Sequence, residues 1–365
     1  MKMPNVFKKK ARGITLFLAL VFICVAGTSC GSEKSPARRY DYDLSEYVKI
    51  GPYLGIEAPF ADPDSCTEEE IDTAVFQVML TYADFSEEKD VVEKYDQAIV
   101  DFSLVQNGVT MEDYSQSDYP LIVGLYLGRD LDEALADALI GARQGEVRSV
   151  DYTFPDDVQS LGSWAGQTVT VQGLVKRILR ANVQECTDAF VQSLDGYAFQ
   201  TVQEFRDAVR EDLKTNKSQQ KRAMVLQAFS DSVEVIRYPE KEIDDYIAQD
   251  RAQLEELAKE ENMTYEEYLS SIGSDDEEVA SAALKEAQER VKADMASIQV
   301  CRLMQTTLND EEYNTALQAL FETEKGNFSD CAEMEAYYTP AVLRDSFLWQ
   351  KSFEVMVDNA VSTLS

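Results

Sequence analysis

Apolar residues change their period once along this chain, near Arg180, and that switch limits the fold more than any other feature. Before it they alternate with polar ones. Ala98, Val100, Phe102 and Leu104 stand between Ile99, Asp101 and Ser103, and a period of two places one such set on a single face of a strand. Asn107-Gly108 follows as a hairpin turn signal, and Tyr119 to Gly124 (YPLIVG) reads as a second strand. Val150, Tyr152 and Phe154 alternate along a third strand that Pro155 stops; Val169, Val171 and Val175 alternate along a fourth. Between the second and third lies Leu131 to Ile140. There Leu131, Leu135, Ala138 and Leu139 share a helical face and Gly141 closes the helix. Short strands around one short helix predict a small α+β domain.

Beyond Arg180 only the helical period remains. Thr201 and Glu204, and Thr264 and Glu267, have the spacing of capping boxes, in which the Thr hydroxyl and the Glu carboxylate satisfy two otherwise orphaned N–H groups. Pro239 suits a first helical position, and Ile243, Ile247, Leu254 and Leu257 follow on one face. Helices are predicted over Val279–Leu308, Asp310–Phe321, Cys331–Tyr337 and Val342–Leu364. Upstream of the strands, Thr67 and Glu70 form a third capping box ahead of Ile71, Val75, Val78 and Met79. Val48 to Ala58 (VKIGPYLGIEA) is a strand candidate interrupted by Gly and Pro.

Composition removes several classes of chemistry. With 67 acidic and 34 basic residues the formal charge is −33, a field that repels phosphate backbones, so no nucleic-acid partner is expected. Histidine is absent, which excludes Ser-His-Asp triads, Cys-His dyads and His-ligated metals. No cofactor and no metal site is expected. Cys66, Cys186, Cys301 and Cys331 are widely spaced without a CxxC, and fit two disulfides or four buried thiols equally.

The N-terminus carries Lys8, Lys9, Lys10 and Arg12, then an apolar run from Ile14 to Gly27, then Thr28-Ser29-Cys30-Gly31. This order reads as a secretory signal, too short for a spanning helix, which needs about 20 apolar residues. The end of the run resembles a bacterial lipobox, with Cys30 the acylated residue; an ordinary cleaved signal with Cys30 as a bystander is the alternative. The expected division is a signal over 1–29, a polar tether over 30–45, and a chain fixed by lipid to the outer face of the cell membrane. Cleavage would remove five basic residues and no acidic ones, taking the charge to −38.

Five stretches, in order, resemble trigger factor. Tyr95 to Phe102 (YDQAIVDF) is similar to the family's opening strand, and Tyr119 to Gly124 to its YPLxIG. Leu139 to Glu146 (LIGARQGE) is similar to LxGxxxGE, and Phe154 to Asp157 with Leu161 to Val171 to FPxDY…LAGKxVxFxV. Tyr238 to Ile243 (YPEKEI) is similar to the start of the chaperone arm. The resemblance implies an FKBP-like half-barrel of antiparallel strands around one short helix over 46–180. An all-helical chaperone domain of the trigger factor or SurA kind would follow over 181–365. A signal stands where trigger factor has its basic ribosome-docking domain, so no ribosome contact is expected.

The implied activity is that of an extracytoplasmic folding factor with a prolyl isomerase domain. Its partners would be unfolded or nascent exported polypeptides, and the membrane through the anchor. The implied peptide pocket comprises Phe102, Met111, Tyr119, Leu131, Leu135 and Val171. Rotating an X–Pro bond needs a dry aromatic surface rather than a nucleophile or metal, so the lack of histidine does not argue against it. Several positions depart from the family pattern. Met111-Glu112 replaces Phe-Asp, Leu135 replaces an aromatic floor, Val171 replaces Phe, and Asp132 brings a carboxylate to an apolar site. A weak isomerase and a degenerate peptide-binding module both remain open, as does a scaffold lipoprotein. On the helical arms, Met263, Tyr265, Tyr268, Met304, Phe328, Tyr337 and Tyr338 are the candidate client contacts.

Overall fold

A computed structural model describes residues 40–125, 130–154, 164, 166–194 and 198–364. The expected signal, the Cys30 acylation site and tether residues 30–39 lie outside the described residues. Two compact units emerge: Pro63–Asn216, and a discontinuous unit of Met1–Asp62 with Lys217–Ser365. This division differs from the expected 46–180 and 181–365. Residues 40–62 belong with the C-terminal helices, and the second boundary falls inside a helix.

In the discontinuous unit the N-terminal piece forms a short turn at Leu44–Glu46 and two brief strands, β1 (Val48–Lys49) and β2 (Glu57–Ala58). Tyr40 and Leu44 are buried, so the expected tether over 30–45 is corrected at its end: residues from 40 onward are held by packing. Side chains large enough to bury at 40, 44 and 48 are what a free polar tether lacks.

The Pro63–Asn216 unit begins with α1 (Glu68–Thr81), opened by the expected capping box. The Glu70 amide donates to the Thr67 hydroxyl at 3.2 Å and the Thr67 amide to the Glu70 carboxylate at 2.8 Å. Five strands follow: β3 (Asp84–Glu88), β4 (Gln97–Gln106), β5 (Val109–Ile122), β6 (Val147–Thr153) and β7 (Thr168–Asn182), with α2 (Asp130–Ala138) between β5 and β6. All pair antiparallel. The path is β3–β7–β4–β5, and the 15-residue β7 accepts β6 along Thr168–Leu174 and β3 along Leu179–Asn182 on the same edge. The alternating residues do as predicted: Ala98, Val100, Leu104, Val169, Val171 and Val175 join one core with Leu135 and Leu139 of α2. Gly173 sets the approach of helix to sheet, since a Cβ there would stand 3.1 Å from a Leu135 methyl.

At the base of the sheet Asp96 is 1% exposed and holds Arg180 by two bonds, from Nε at 2.7 Å and Nη2 at 3.0 Å, while accepting the Glu93 amide at 2.9 Å. The carboxylate raises the Arg180 guanidinium above its usual value, and the pair ties the start of β4 to the end of β7. The unit closes with α3 (Asp188–Gln192) and the first half of α4 (Val202–Ser232), whose Phe205 packs with Ile71, Val75 and Phe190. At α4 only half of the expected capping box forms. Thr201 accepts the Glu204 amide, but the Glu204 carboxylate takes the Gln200 amide instead.

After Asn216 the chain is largely helical: α5 (Glu240–Glu260), α6 (Tyr265–Ser271), α7 (Asp276–Leu303), α8 (Asp310–Thr323), α9 (Cys331–Tyr338) and α10 (Pro340–Asp358). The expectation of an all-helical 181–365 is corrected by two two-residue strands, β8 (Glu234–Val235) and β9 (Val361–Ser362), and by β7 reaching Asn182. β8 pairs antiparallel with β1, and β9 parallel with β2. The broken VKIGPYLGIEA segment therefore finds two separate partners, and the helix expected to reach Leu364 ends at Asp358. Among the described residues no helix is long and apolar enough to cross a membrane.

Candidate functional site

All six residues expected to line a peptide pocket lie in one cluster on the helix-bearing face of the sheet. Leu135 and Val171 are fully buried; Phe102, Met111, Tyr119 and Leu131 are half-buried at its margin. Strand register explains the grouping. Phe102 opposes Gly173, Leu104 opposes both Met111 and Val171, and Val150 opposes Val171 from the other side. The Phe102 and Tyr119 rings meet at 5.6 Å.

Leu135 and Val171 are structural floor rather than open pocket wall. Leu135 already presses on Gly173, so an aromatic ring at either position would overpack the core, at about 1–3 kcal/mol. Asp132 also proves less anomalous than its sequence position implied. The Tyr119 hydroxyl donates to its carboxylate at 2.7 Å, giving the half-buried charge a partner.

The sequence reading missed part of the aromatic surface. Tyr152 and Phe154 meet at 5.2 Å, Phe154 and Trp164 at 5.3 Å, and Trp164 and Tyr114 at 5.4 Å; all but Tyr114 pack directly on the same core. The alternation of Val150, Tyr152 and Phe154 already placed two of these rings on one face. Nothing periodic marks Trp164 or Tyr114. Edge-on ring pairs of this kind contribute about 0.5–1.5 kcal/mol each beyond burial. The surface is aromatic, with the Asp132 carboxylate held at its Tyr119 edge.

A polar depression of about 450 Å³ lies beside Asp101, Phe102, Ser103, Glu112, Gln116 and Leu174. There the pairing of β5 with β4 shifts register on both sides of the Phe102–Gln116 pair, between Gln116 and Tyr119 and between Met111 and Gln116. Asp101 pins the bulge by accepting the Asp118 amide at 3.1 Å and facing the Lys176 ammonium at 3.3 Å, contacts that lower its pKa. No group of three or more Cys, Asp or Glu side chains among the described residues could hold a metal ion.

In the helical unit the candidate client contacts divide. Met263 is 40% and Tyr337 46% exposed, Tyr265, Tyr268, Met304 and Phe328 are half-buried, and Tyr338 is core. Phe328, Tyr337 and Tyr338 touch one another with centroids 4.9–5.6 Å apart. Tyr265 is partly occupied by Arg251, whose guanidinium lies 4.7 Å from its ring. Exposed Leu257, Ile272, Leu284 and Leu303 were not foreseen. Leu257 is a correction, since it was expected on the same inward face as Ile243, which is buried.

Residues 200–340 match the family described as the bacterial trigger factor protein (TF) C-terminus. The chain is trigger-factor-like. The trigger factor of Caldicellulosiruptor saccharolyticus is 23% identical over 330 residues, covering 88% of this chain and 74% of that protein. That of Streptococcus mutans is 22% identical over 317 residues, covering 86% and 72%. A solved structure from work on promiscuous substrate recognition in folding and assembly activities of the trigger factor chaperone aligns over 86% of this chain and 73% of its own, with 16% identity and a TM-score of 0.38.

Proposed function

We propose that this chain is an extracytoplasmic protein-folding factor, a chaperone or holdase for unfolded exported polypeptides, held at the outer face of the cell membrane by a lipid on Cys30. The observation that carries the folding role is the trigger factor C-terminal match over residues 200–340, with relatives named trigger factor aligning over most of the chain. Scattered exposed Met, Leu, Ile and Tyr side chains on the helices support it, because soft, separated apolar contacts suit many clients. The basic, then apolar, then small-residue order before Cys30 supports the anchor. In this reading the acidic surface keeps the protein away from nucleic acid and ribosomes.

The test is suppression of aggregation of a denatured secreted protein. A stoichiometric amount of the chain should lower light scattering at least severalfold, and no effect at that ratio ends the reading. A second reading, a working FKBP-type isomerase in the Pro63–Asn216 unit, is favoured by the ring series Tyr152–Phe154–Trp164–Tyr114 beside Phe102 and Tyr119. A protease-coupled assay on a Xaa-Pro peptide checks it. Turnover that Phe102→Ala abolishes supports it, and a rate equal to the uncatalysed one rejects it.

A further inference from the structure

Thr339 joins α9 to α10 in a conformation that its own side chain opposes. Its φ is +66° and its ψ 140°, a combination that suits glycine and strains a residue carrying a Cβ. No other β-branched residue among those described has a positive φ. The Thr339 hydroxyl is buried and has no hydrogen-bond partner, so it does not cap α10. Thr67, Thr187 and Thr264 show the relaxed alternative. They precede α1, α3 and α6 with φ of −81°, −114° and −72° and ψ of 156°, 162° and 162°, and each hydroxyl accepts the amide three residues on at 3.2 Å. Thr339 stands before α10 as they stand before their helices, with a similar ψ; its φ alone has the opposite sign.

We propose that Thr339 is a two-position switch: turning its φ negative lets its hydroxyl cap α10 and lifts α9 from the helical core. One rotation, about the Thr339 N–Cα bond, relieves the strain and carries the hydroxyl toward the Val342 amide, the counterpart of the Glu70, Phe190 and Glu267 amides. Pro340, the first residue of α10, has its own φ fixed by its ring, so the motion falls on α9. At the other end of α9, Gly326 has φ +135° with open space around it, and supplies the second bend. Holding α9 down are buried Met334 and Tyr338, packed with Tyr313, Leu317, Leu343 and Phe347, and the Tyr313 phenol, which donates to the Glu335 carboxylate at 2.6 Å. Strain and an unmet hydroxyl act against this burial and narrow the gap between the two positions. Lifting α9 uncovers the apolar faces of α8 and α10. The role of that face rests on the holdase reading above: it takes apolar segments of unfolded clients.

Hydrogen exchange of the full chain, read by mass spectrometry, tests the switch directly. Glycine ordinarily loosens a junction between helices. At position 339 it removes the strain of the seated form, so Thr339→Gly should slow exchange across α9 by about tenfold and leave β4 and β7 unchanged. Thr339→Val keeps the shape and the β-branch but can neither cap α10 nor leave a hydroxyl unmet, and it too should slow α9. Faster or unchanged exchange of α9 in the glycine variant overturns the switch. A valine variant that exchanges as fast as the parent overturns the capped position. In the aggregation assay with a denatured secreted protein, the glycine variant should suppress light scattering about threefold less than the parent chain. Equal suppression by a glycine variant whose α9 has slowed overturns the client role of the uncovered face. A parent chain that suppresses nothing ends the holdase reading and that role with it, while the exchange rates still decide the switch.

Discussion

Leu44→Ala tests whether residues 40–62 are part of the helical core. Leu44 has no solvent exposure and sits among Tyr246, Val291, Met295 and Phe353 in one cluster. Trimming it to Ala removes three carbons, which at about 0.8 kcal/mol per buried methylene is about 2.4 kcal/mol. The cavity left behind raises the cost to about 3 kcal/mol, because surrounding helices relax only partly. Hydrogen exchange read by mass spectrometry locates the loss. Amides of α5, α7 and α10 should lose protection by about two powers of ten, since each 1.4 kcal/mol is tenfold. Protection in β4 and β7 should stay unchanged, because Leu44 packs on none of their side chains. The matching control, Ile71→Ala in α1, should loosen the Pro63–Asn216 unit instead. A loss under about 0.5 kcal/mol, or protection lost in β4 and β7 but kept in α7, would refute the assignment of the N-terminal segment to the helical unit.

Other perturbations follow from single contacts. Asp96→Ala leaves Arg180 with Glu93 and water and should cost about 2–3 kcal/mol in urea unfolding of the sheet unit; Glu93→Ala, at an exposed partner, should cost far less. Tyr246→Phe removes a 2.7 Å donor from buried Asp294 and should cost about 2 kcal/mol, more than Tyr40→Phe, whose bond is 3.3 Å; equal costs would mean the carboxylate is not the shared acceptor. Arg206 and Arg210 hold the exposed Glu68 carboxylate below its ordinary value of 4.5. Its contribution is therefore complete above that value and is lost as acid takes pH down through the depressed one. Glu68→Gln should flatten the acid limb of a stability–pH curve, and an unchanged limb would count against the α1–α4 ion pairs.

What the amino-acid order determined by itself is local. Period-two alternation placed β4, β6 and β7 and put Phe102, Leu104, Val150 and Val171 on one face. Capping boxes at Thr67 and Thr264 formed as spaced, because a cap is made by residues three apart. A further box at Asn309 and Glu312 was equally legible and passed over. What only the tertiary structure decided is non-local: the pairing of Val48 with Val235 and of Glu57 with Val361, the Asp132 contact with Tyr119, and the arrival of Trp164 beside Phe154. Two-residue strands have too few residues to show a period. A single ring outside any alternating run shows none, and an acid looks the same in sequence whether or not a phenol from another element meets it. The separation of about 190 to 300 residues between those strand partners leaves no short-range trace. Their pairing is chosen only when the core around Tyr40 and Asp294 closes.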